Sequence, residues 1–297
     1  MANGVIVPHG IRLVRPAPAL EPYVRYYGHR AAHIVDTVVV HPVHARAAPI
    51  LDFEFGDADA VLYIPSNGKT PILSPRTVLI GMQTGRRGEL QMRGRVDCFA
   101  ILFQPDGLDL LFARPAQEFT DRNFDAESVF GRMIARFHDQ LADCRSTEER
   151  ISVANQLLTQ RARAARARDG VTVAAHQMLS DAGAGRISAM AGRAGLSMRQ
   201  FRRIFLQRVG VSPKLFARIA RFEAALDGMA RCSGGSWAEV AHRFGYYDQM
   251  HMIHEFAQFT GETPTHTLYC FEATFQRELA AIRSGSASRS DGERWIL

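Results

Sequence analysis

Two groups of side chains in this 297-residue chain have types and spacing that could do chemistry. The first is basic. From Arg186 to Arg221 stand nine Lys/Arg residues, at 186, 193, 199, 202, 203, 208, 214, 218 and 221, without a single Asp or Glu. Cations that neutralise phosphates release condensed counterions, and arginine can also pair bidentately with guanine edges in a major groove. The second group is histidine-rich: His9, His29, His33 and the pair His41-Pro-Val-His44. Imidazoles so spaced suit a metal held by one strand region of a β-barrel. Pro42 disturbs a regular strand between them, and no supporting carboxylate motif accompanies them, so metal catalysis is the weaker chemistry of the two.

Other chemistries find little foothold. Cys98, Cys144, Cys232 and Cys270 form no Cys-x-x-Cys pair and read as free thiols, not as a zinc or disulfide set. Gly-x-Ser-x-Gly, phosphate-loop and dinucleotide motifs are absent from the sequence.

The arginines need an element that exposes them, and the sequence around them repeats. Ala191 and Gly195 recur as Ala241 and Gly245, an offset of 50; Phe205 recurs as Phe256, and Gly210-Val-Ser-Pro213 as Gly261-Glu-Thr-Pro264, an offset of 51. The extra residue falls just after the glycine, where Leu196-Ser197 is replaced by Tyr246-Tyr247-Asp248. Each copy reads as a short helix (Ile187 to Ala194, then Trp237 to Phe244) ending at a glycine free to turn left-handed. A second helix follows, opened by Ser197 or Asp248 as a cap and closed at Gly210 or Gly261. Pro213 or Pro264 then suits the first turn of the next helix. The alanine four positions before each turn glycine is small enough for the two helices to cross closely. Helix, tight glycine turn, helix is the helix-turn-helix arrangement.

At 100° per residue, Phe201, Ile204 and Phe205 share the inner side of the second helix. Arg199 and Arg203 lie almost opposite, with Arg202 at the flank. In the second copy Met252, Phe256 and Phe259 face inward, while Met250 and His254 face outward. The copies differ in charge: Phe222 to Thr265 holds two arginines (231, 243) against six acids (223, 227, 239, 248, 255, 262).

The first half is expected to be strand-rich. Ile50 to Phe55 alternates Leu51, Phe53 and Phe55 with Asp52 and Glu54, the period of a half-buried strand. Val61 to Ile64, Thr77 to Met82 and Cys98 to Phe103 are further strands bounded by turn residues. Leu108 to Ala113, Ala126 to Leu141 and Thr147 to Arg168 have helical spacing, and four arginines crowd Arg161 to Arg168. The fold class expected is therefore α+β and multidomain. A β-rich domain with flanking helices spans 1–168, an all-α domain of two helix-turn-helix units joined by a helix spans 169–283, and a polar tail, 284–297, is expected to be disordered.

A net charge of +6, with 46% apolar and 22% charged residues, fits a soluble globular protein with an anionic partner. No apolar run reaches about 18 residues, so no membrane span is expected. The start, MANGVIVPHG, has no basic region followed by an apolar stretch, and a cytoplasmic location follows as the expectation.

The repeat resembles the AraC/XylS family of bacterial regulators over about Val171 to Phe275. The motifs that carry it are the two Ala-x-x-x-Gly turns, Phe201-Arg-Arg-Ile-Phe205, Gly210-Val-Ser-Pro213, and Phe244-Gly-Tyr-Tyr-Asp-Gln249 running to Phe256 and Gly261-Glu-Thr-Pro264. The resemblance implies a sequence-specific transcription regulator without enzymatic activity or cofactor, bound to double-stranded DNA through two helices in successive major grooves. Its base-reading positions are Arg199, Gln200, Arg202 and Arg203 in the first unit, and Gln249, Met250, His251 and His254 in the second. The family usually has arginine where this chain has His254, so the first unit is expected to dominate binding, with His251 and His254 strengthening contacts below about pH 6.5. Pro18 to Gly131 more loosely resembles the family's sensor domains, through Pro22-Tyr23-Val24, Pro49-Ile-Leu-Asp-Phe-Glu-Phe55, Gly94-Arg-Val-Asp-Cys-Phe99 and Phe103-Gln-Pro-Asp-Gly107. That implies a cupin-like barrel, a small-molecule effector, a homodimer, and RNA polymerase as a further partner. The competing readings are a non-specific architectural DNA-binding protein and a cupin-type metalloenzyme carrying a DNA-binding domain.

Overall fold

The structure, a computed structural model, describes residues 12–231 and 237–271. Its β-rich part is one antiparallel sheet. In chain order the strands are β1 (Arg12–Val14), β2 (Val24–Val43), β3 (Ile50–Glu54), β4 (Val61–Pro65), β5 (Ile72–Leu73), β6 (Thr77–Ile80), β7 (Gly88–Phe103) and β8 (Asn123–Asp125). They run in the spatial order β1-β2-β7-β3-β6-β8, with β4 on the first half of β7 and β5 on β4. Along this path the described strands make an open sheet, not a closed ring.

The long strands are the backbone of this part. The strand expected over Cys98 to Phe103 is only the end of β7, and β2 was not foreseen at all. Pro42 does not interrupt β2: it stands opposite Glu89 of β7. Among the described residues the other side of β2 is covered by β1 only from Tyr27 to His29, so no described strand calls for an N–H at Pro42.

One face of the sheet is apolar. Tyr27, Leu51, Phe53, Leu79, Phe99, Ile101 and Phe103 are buried there against helices α1 (Gly107–Phe112), α2 (Ala126–Phe130), α3 (Arg132–Ala142) and α4 (Thr147–Ala162). The helix expected over Ala126 to Leu141 is broken in two at Gly131, which takes φ of 68°. Helix α4 begins at Thr147, as expected, with Ser146 as its cap, and ends at Ala162 instead of running to Arg168. Ile134, Phe137, Leu141, Ala154 and Leu158 are all committed to this core.

The helical part comprises α5 (Gly170–Ser180), α6 (Ile187–Arg193), α7 (Met198–Val209), α8 (Pro213–Arg231), α9 (Trp237–Arg243), α10 (Gln249–Thr260) and α11 (Pro264–Phe271). The single helix α8 serves both repeats. Phe216 meets Phe205 of α7 with ring centroids 5.6 Å apart, and Phe222 meets Phe256 and Phe259 of α10 at 4.9 and 5.3 Å. Ala45, Ala47 and Met82 of the β-rich part join the same apolar cluster.

Polar contacts seal the seam. Arg25 pairs with Glu223 at 3.4 Å, Glu223 also accepts the Ala47 N–H at 2.8 Å, and Arg86 pairs with Glu262 at 2.8 Å. His176 meets Asp106 at 2.7 Å, and Thr120 donates to the Gly210 carbonyl. A cleft of about 1010 Å³ opens along this seam, with Arg15, Arg25 and Tyr26 on one side and Arg168, His176 and Phe244 on the other.

Candidate nucleic-acid interface

Both repeats build the same turn. In the first, Leu196 N–H donates to the Ala191 carbonyl at 3.0 Å across Gly195, whose φ is 68°; in the second, Tyr246 N–H donates to Ala241 at 2.9 Å across Gly245, at 71°. Ala191 and Ala241 are each 1% exposed, as close helix crossing requires. The second helices start where the caps were expected. Ser197 accepts the Gln200 N–H in a capping box, and Asp248 accepts the His251 N–H at 2.7 Å. One more residue separates the turn glycine from the helix in the second unit, the place assigned to the insertion.

The outer face of α7 is open. Phe201 and Phe205 are fully buried, and Arg199, Gln200, Arg202 and Arg203 are all exposed. Arg199, Arg202 and Arg203 make no ion pair or hydrogen bond through their side chains among the described residues. Gln200 is committed differently: its side-chain oxygen accepts the Ser197 N–H at 3.1 Å and so completes the cap. Leu206 (42% exposed) and Gln207 lie on the same face, one turn beyond Arg202 and Arg203. Sequence reasoning passed over them because an isolated Leu and Gln carry no charge signal. Their spacing from Arg203, at i+3 and i+4, is the clue that places them.

The nine-cation run does not reach the surface as a block. Arg208 pairs with Asp169, and Arg193 donates to Gln177 at 3.0 Å. Arg218 pairs with buried Glu255 and lies over the Phe259 ring, and Arg221 lies over Tyr246. Arg186, Lys214 and the three α7 arginines are the exposed cations of the run without such a partner among the described residues.

On α10, Gln249, Met250 (56% exposed) and His254 face outward, while Met252, Phe256 and Phe259 are buried. His251 turns back: its Nδ1 accepts the Tyr247 N–H at 3.3 Å and its ring meets Tyr246 edge-on. Four of the six acids of this unit are engaged within the protein. Glu223 and Glu262 face Arg25 and Arg86, Glu255 faces Arg218, and Asp248 caps α10. The outward residues Gln249, Met250 and His254 themselves carry no acidic group.

Of the histidines of the first half, His41 and His44 lie near enough for their charges to interact, but no third ligand joins them among the described residues. His29 bonds Asp97 at 3.1 Å and the Thr147 hydroxyl at 2.8 Å, in a cluster completed by Arg150. His33 is exposed, and His44 is buried at the seam, where burial pushes its imidazole down to about 3. Among the described residues no three His, Cys, Asp or Glu side chains gather as a metal-binding set; His9 lies outside them. Cys98 and Cys144 are free thiols, and Cys232 and the Cys270 side chain lie outside the described residues. No described helix is long and apolar enough to cross a membrane.

Residues 190–268 match a family described as a helix-turn-helix domain, and residues 12–125 match a domain of unknown function, DUF6597. The sequence matches no curated protein. Among solved structures the chain is similar to an apo variant of ToxT from Vibrio cholerae, with 11% identity and a TM-score of 0.48, covering 88% of this chain and 100% of that one. It is also similar to ToxT from Vibrio cholerae O395, with 11% identity and a TM-score of 0.46, covering 83% and 98%.

Proposed function

From the premise that residues 190–268 form an AraC-type helix-turn-helix domain, we propose that this protein is a sequence-specific, DNA-binding transcription regulator and not an enzyme. The observation that carries the reading is the α7 face. Three arginines project from a helix whose opposite side is locked by Phe201 and Phe205, and no carboxylate among the described residues answers them. A rigid helix with unanswered guanidinium groups matches the major groove, where arginine reads guanine O6 and N7.

On this reading α7 and α10 enter successive major grooves of double-stranded DNA, which recur about every 34 Å along one face. Arg199, Arg202 and Arg203 contact bases or phosphates, and Leu206 offers an apolar surface to a thymine methyl. Gln200 holds the helix start and reads a base only with the amide left over from its cap. Gln249, Met250 and His254 form the second reading face, with His251 shaping the turn beneath them. Arg186 and Lys214 meet phosphates.

The β-rich part, residues 1–168, is the sensor of a small effector, and residues 169–283 are the DNA-binding domain. The protein works as a homodimer. Helices α3 and α4 spend their apolar side chains on their own sheet, so a dimer contact through them is polar. RNA polymerase is the further partner of such a regulator, in the cytoplasm.

The test is selection of binding sites from random DNA by the full chain at one fixed salt concentration. A selected site bound about 10³-fold or more above random DNA is the expected result. A ratio below about ten favours the architectural reading, in which the same cations bind phosphates without reading bases.

A further inference from the structure

The sheet face turned away from α1–α4 carries a charged row between two apolar clusters. Cross-strand pairing places Arg30 of β2 beside Cys98 of β7, and Cys98 beside Glu54 of β3. The next row is Gly28, Ala100 and Asp52, so two of the smallest side chains stand beside a carboxylate. Ile34, Val39, Val61, Met92 and Val96 form the apolar cluster above, and Ile50, Ala100 and Leu102 the one below.

These groups lie close enough for their charges to act on one another, with Arg46 beside Asp52, but their hydrogen bonding is incomplete among the described residues. Arg30 is 9% exposed, its one hydrogen bond goes to the Met92 sulfur, a weak acceptor, and its Nε has no partner among the described residues. Asp52 Oδ1 is likewise buried without a partner, since its neighbours on β7 and β6 are Ala100 and Val78. Burial holds the Asp52 carboxyl up at about 6 and pushes Glu54 up as well, the Arg30 charge opposing both. Orphaned buried donors and acceptors are costly, and a site that keeps one of each is complementary to a ligand carrying the opposite pair.

We propose that this row is the effector site, and that it takes a small carboxylate bearing an adjacent amino or hydroxyl group. The ligand carboxylate pairs with the Arg30 guanidinium, and the neighbouring donor serves Asp52 Oδ1 and Glu54. The inference rests on the sensor role proposed for the β-rich part and identifies its ligand class. It also connects the site to the DNA-binding helices. Arg46, whose electrostatic neighbours include Glu223, Asp52 and Arg30, stands between this row and α8. Glu223 is the α8 carboxylate that accepts from Ala47.

The test is calorimetric titration of the full chain, without DNA, using millimolar L-serine, L-glutamate, L-lactate and glycolate, with propionate and glycerol as controls. Saturable binding of at least one amino or hydroxy acid is expected, with propionate and glycerol at least tenfold weaker. Arg30→Lys, which keeps the charge but loses Nε, and Ala100→Val, which fills the floor, should each weaken binding tenfold or more. Arg168→Ala, in the seam cleft, should leave it unchanged. Each variant is first checked for an unaltered circular dichroism spectrum and melting temperature; if one unfolds, the other decides. Binding of propionate or glycerol as tightly as the amino and hydroxy acids, binding lost in Arg168→Ala but kept in a folded Arg30→Lys, or no binding at all overturns the proposal. Because no DNA is present, these outcomes are independent of site selection, and a failure here leaves the regulator reading standing.

Discussion

The hydroxyl of Thr120 donates to the carbonyl of Gly210 at 2.7 Å, tying the loop before β8 to the residue that closes α7. Gly210 takes φ of 95°, and a Cβ added there would lie 2.5 Å from that same hydroxyl oxygen. Gly210→Ala therefore meets both backbone strain and a clash, and should destabilise the protein by about 2–3 kcal/mol. Thr120→Val removes only the hydrogen bond and should cost about 1 kcal/mol. Urea unfolding measures both, and equal costs would contradict the assignment of strain to Gly210.

Arg203→Ala should lower affinity for the selected DNA site by about 1–3 kcal/mol and relax preference at one base position. Lys214→Ala should instead weaken selected and random DNA alike and reduce the slope of log affinity against log salt by about one. Titrations at several salt concentrations separate the two behaviours. A sequence-independent loss in Arg203→Ala would reassign that residue to phosphate.

His254→Ala should cost less affinity at pH 7.5 than Arg203→Ala, because histidine lacks the bidentate, permanently charged guanidinium that arginine brings to the groove. If the two substitutions cost the same, the units are equivalent readers and the asymmetry read from their charges is wrong.

Acid should act on the seam through His44. An unfolded histidine titrates near 6.5 while burial holds His44 at about 3, so the unfolded state takes up the proton first. The contribution of neutral His44 is complete above about pH 6.5 and declines as pH falls towards 3. It does so by up to about 1.4 kcal/mol per pH unit. The stability difference between wild type and His44→Gln should follow that window. Asp52 runs the other way: its carboxyl is held up at about 6, so the protein loses stability as pH rises from about 4 to 6, and Asp52→Asn should remove that slope. A flat difference profile in either pair would remove the corresponding group from the account.

Arg150→Met should destabilise the β-rich part by about 3–5 kcal/mol, because it leaves Asp97 in a half-buried site without its bidentate partner. Burial pushes the Asp97 carboxyl up, but bonds from His29 and Arg150 together with their charges outweigh it and hold the group well below the usual carboxylate range. That pairing contributes stability above about pH 4, which is lost as pH falls through the depressed value. Thermal melts across pH 3–7 test it.

The helical half was legible because its signals are local. Capping residues, turn glycines and the 3.6-residue period of Phe201 and Phe205 each act within one or two turns, and the structure puts Ser197, Gly210, Asp248 and Gly261 in their expected places. The roles of the cations were less legible. Arg208 and Arg218 belong to the same basic run as Arg199, and only tertiary packing shows that Asp169 and Glu255 take them up. The β-rich half hid its longest element. In β2, buried Tyr26, Tyr27, Gly28, His29 and Arg30 follow one another, because one face meets the helical core and the other the charged row. Strict alternation fails when both faces of a strand are covered. The buried Arg30 and Asp52, each keeping one polar atom without a hydrogen bond among the described residues, were equally invisible, since their placement depends on register between strands nearly seventy residues apart.

Gly210 and Gly261 close the two helices proposed to read DNA, and both lie against loops of the same sheet, at Thr120 and Arg86. The interval between the readers is thus held by a third body, and the pair has little freedom to slide to meet a poorly phased duplex. Any mismatch in helical phase falls on the nucleic acid, as twist or bend whose cost depends on the base steps being deformed. If the proposed two-helix reading holds, base pairs lying between the two contacted stretches, touched by no side chain, enter the selectivity as well.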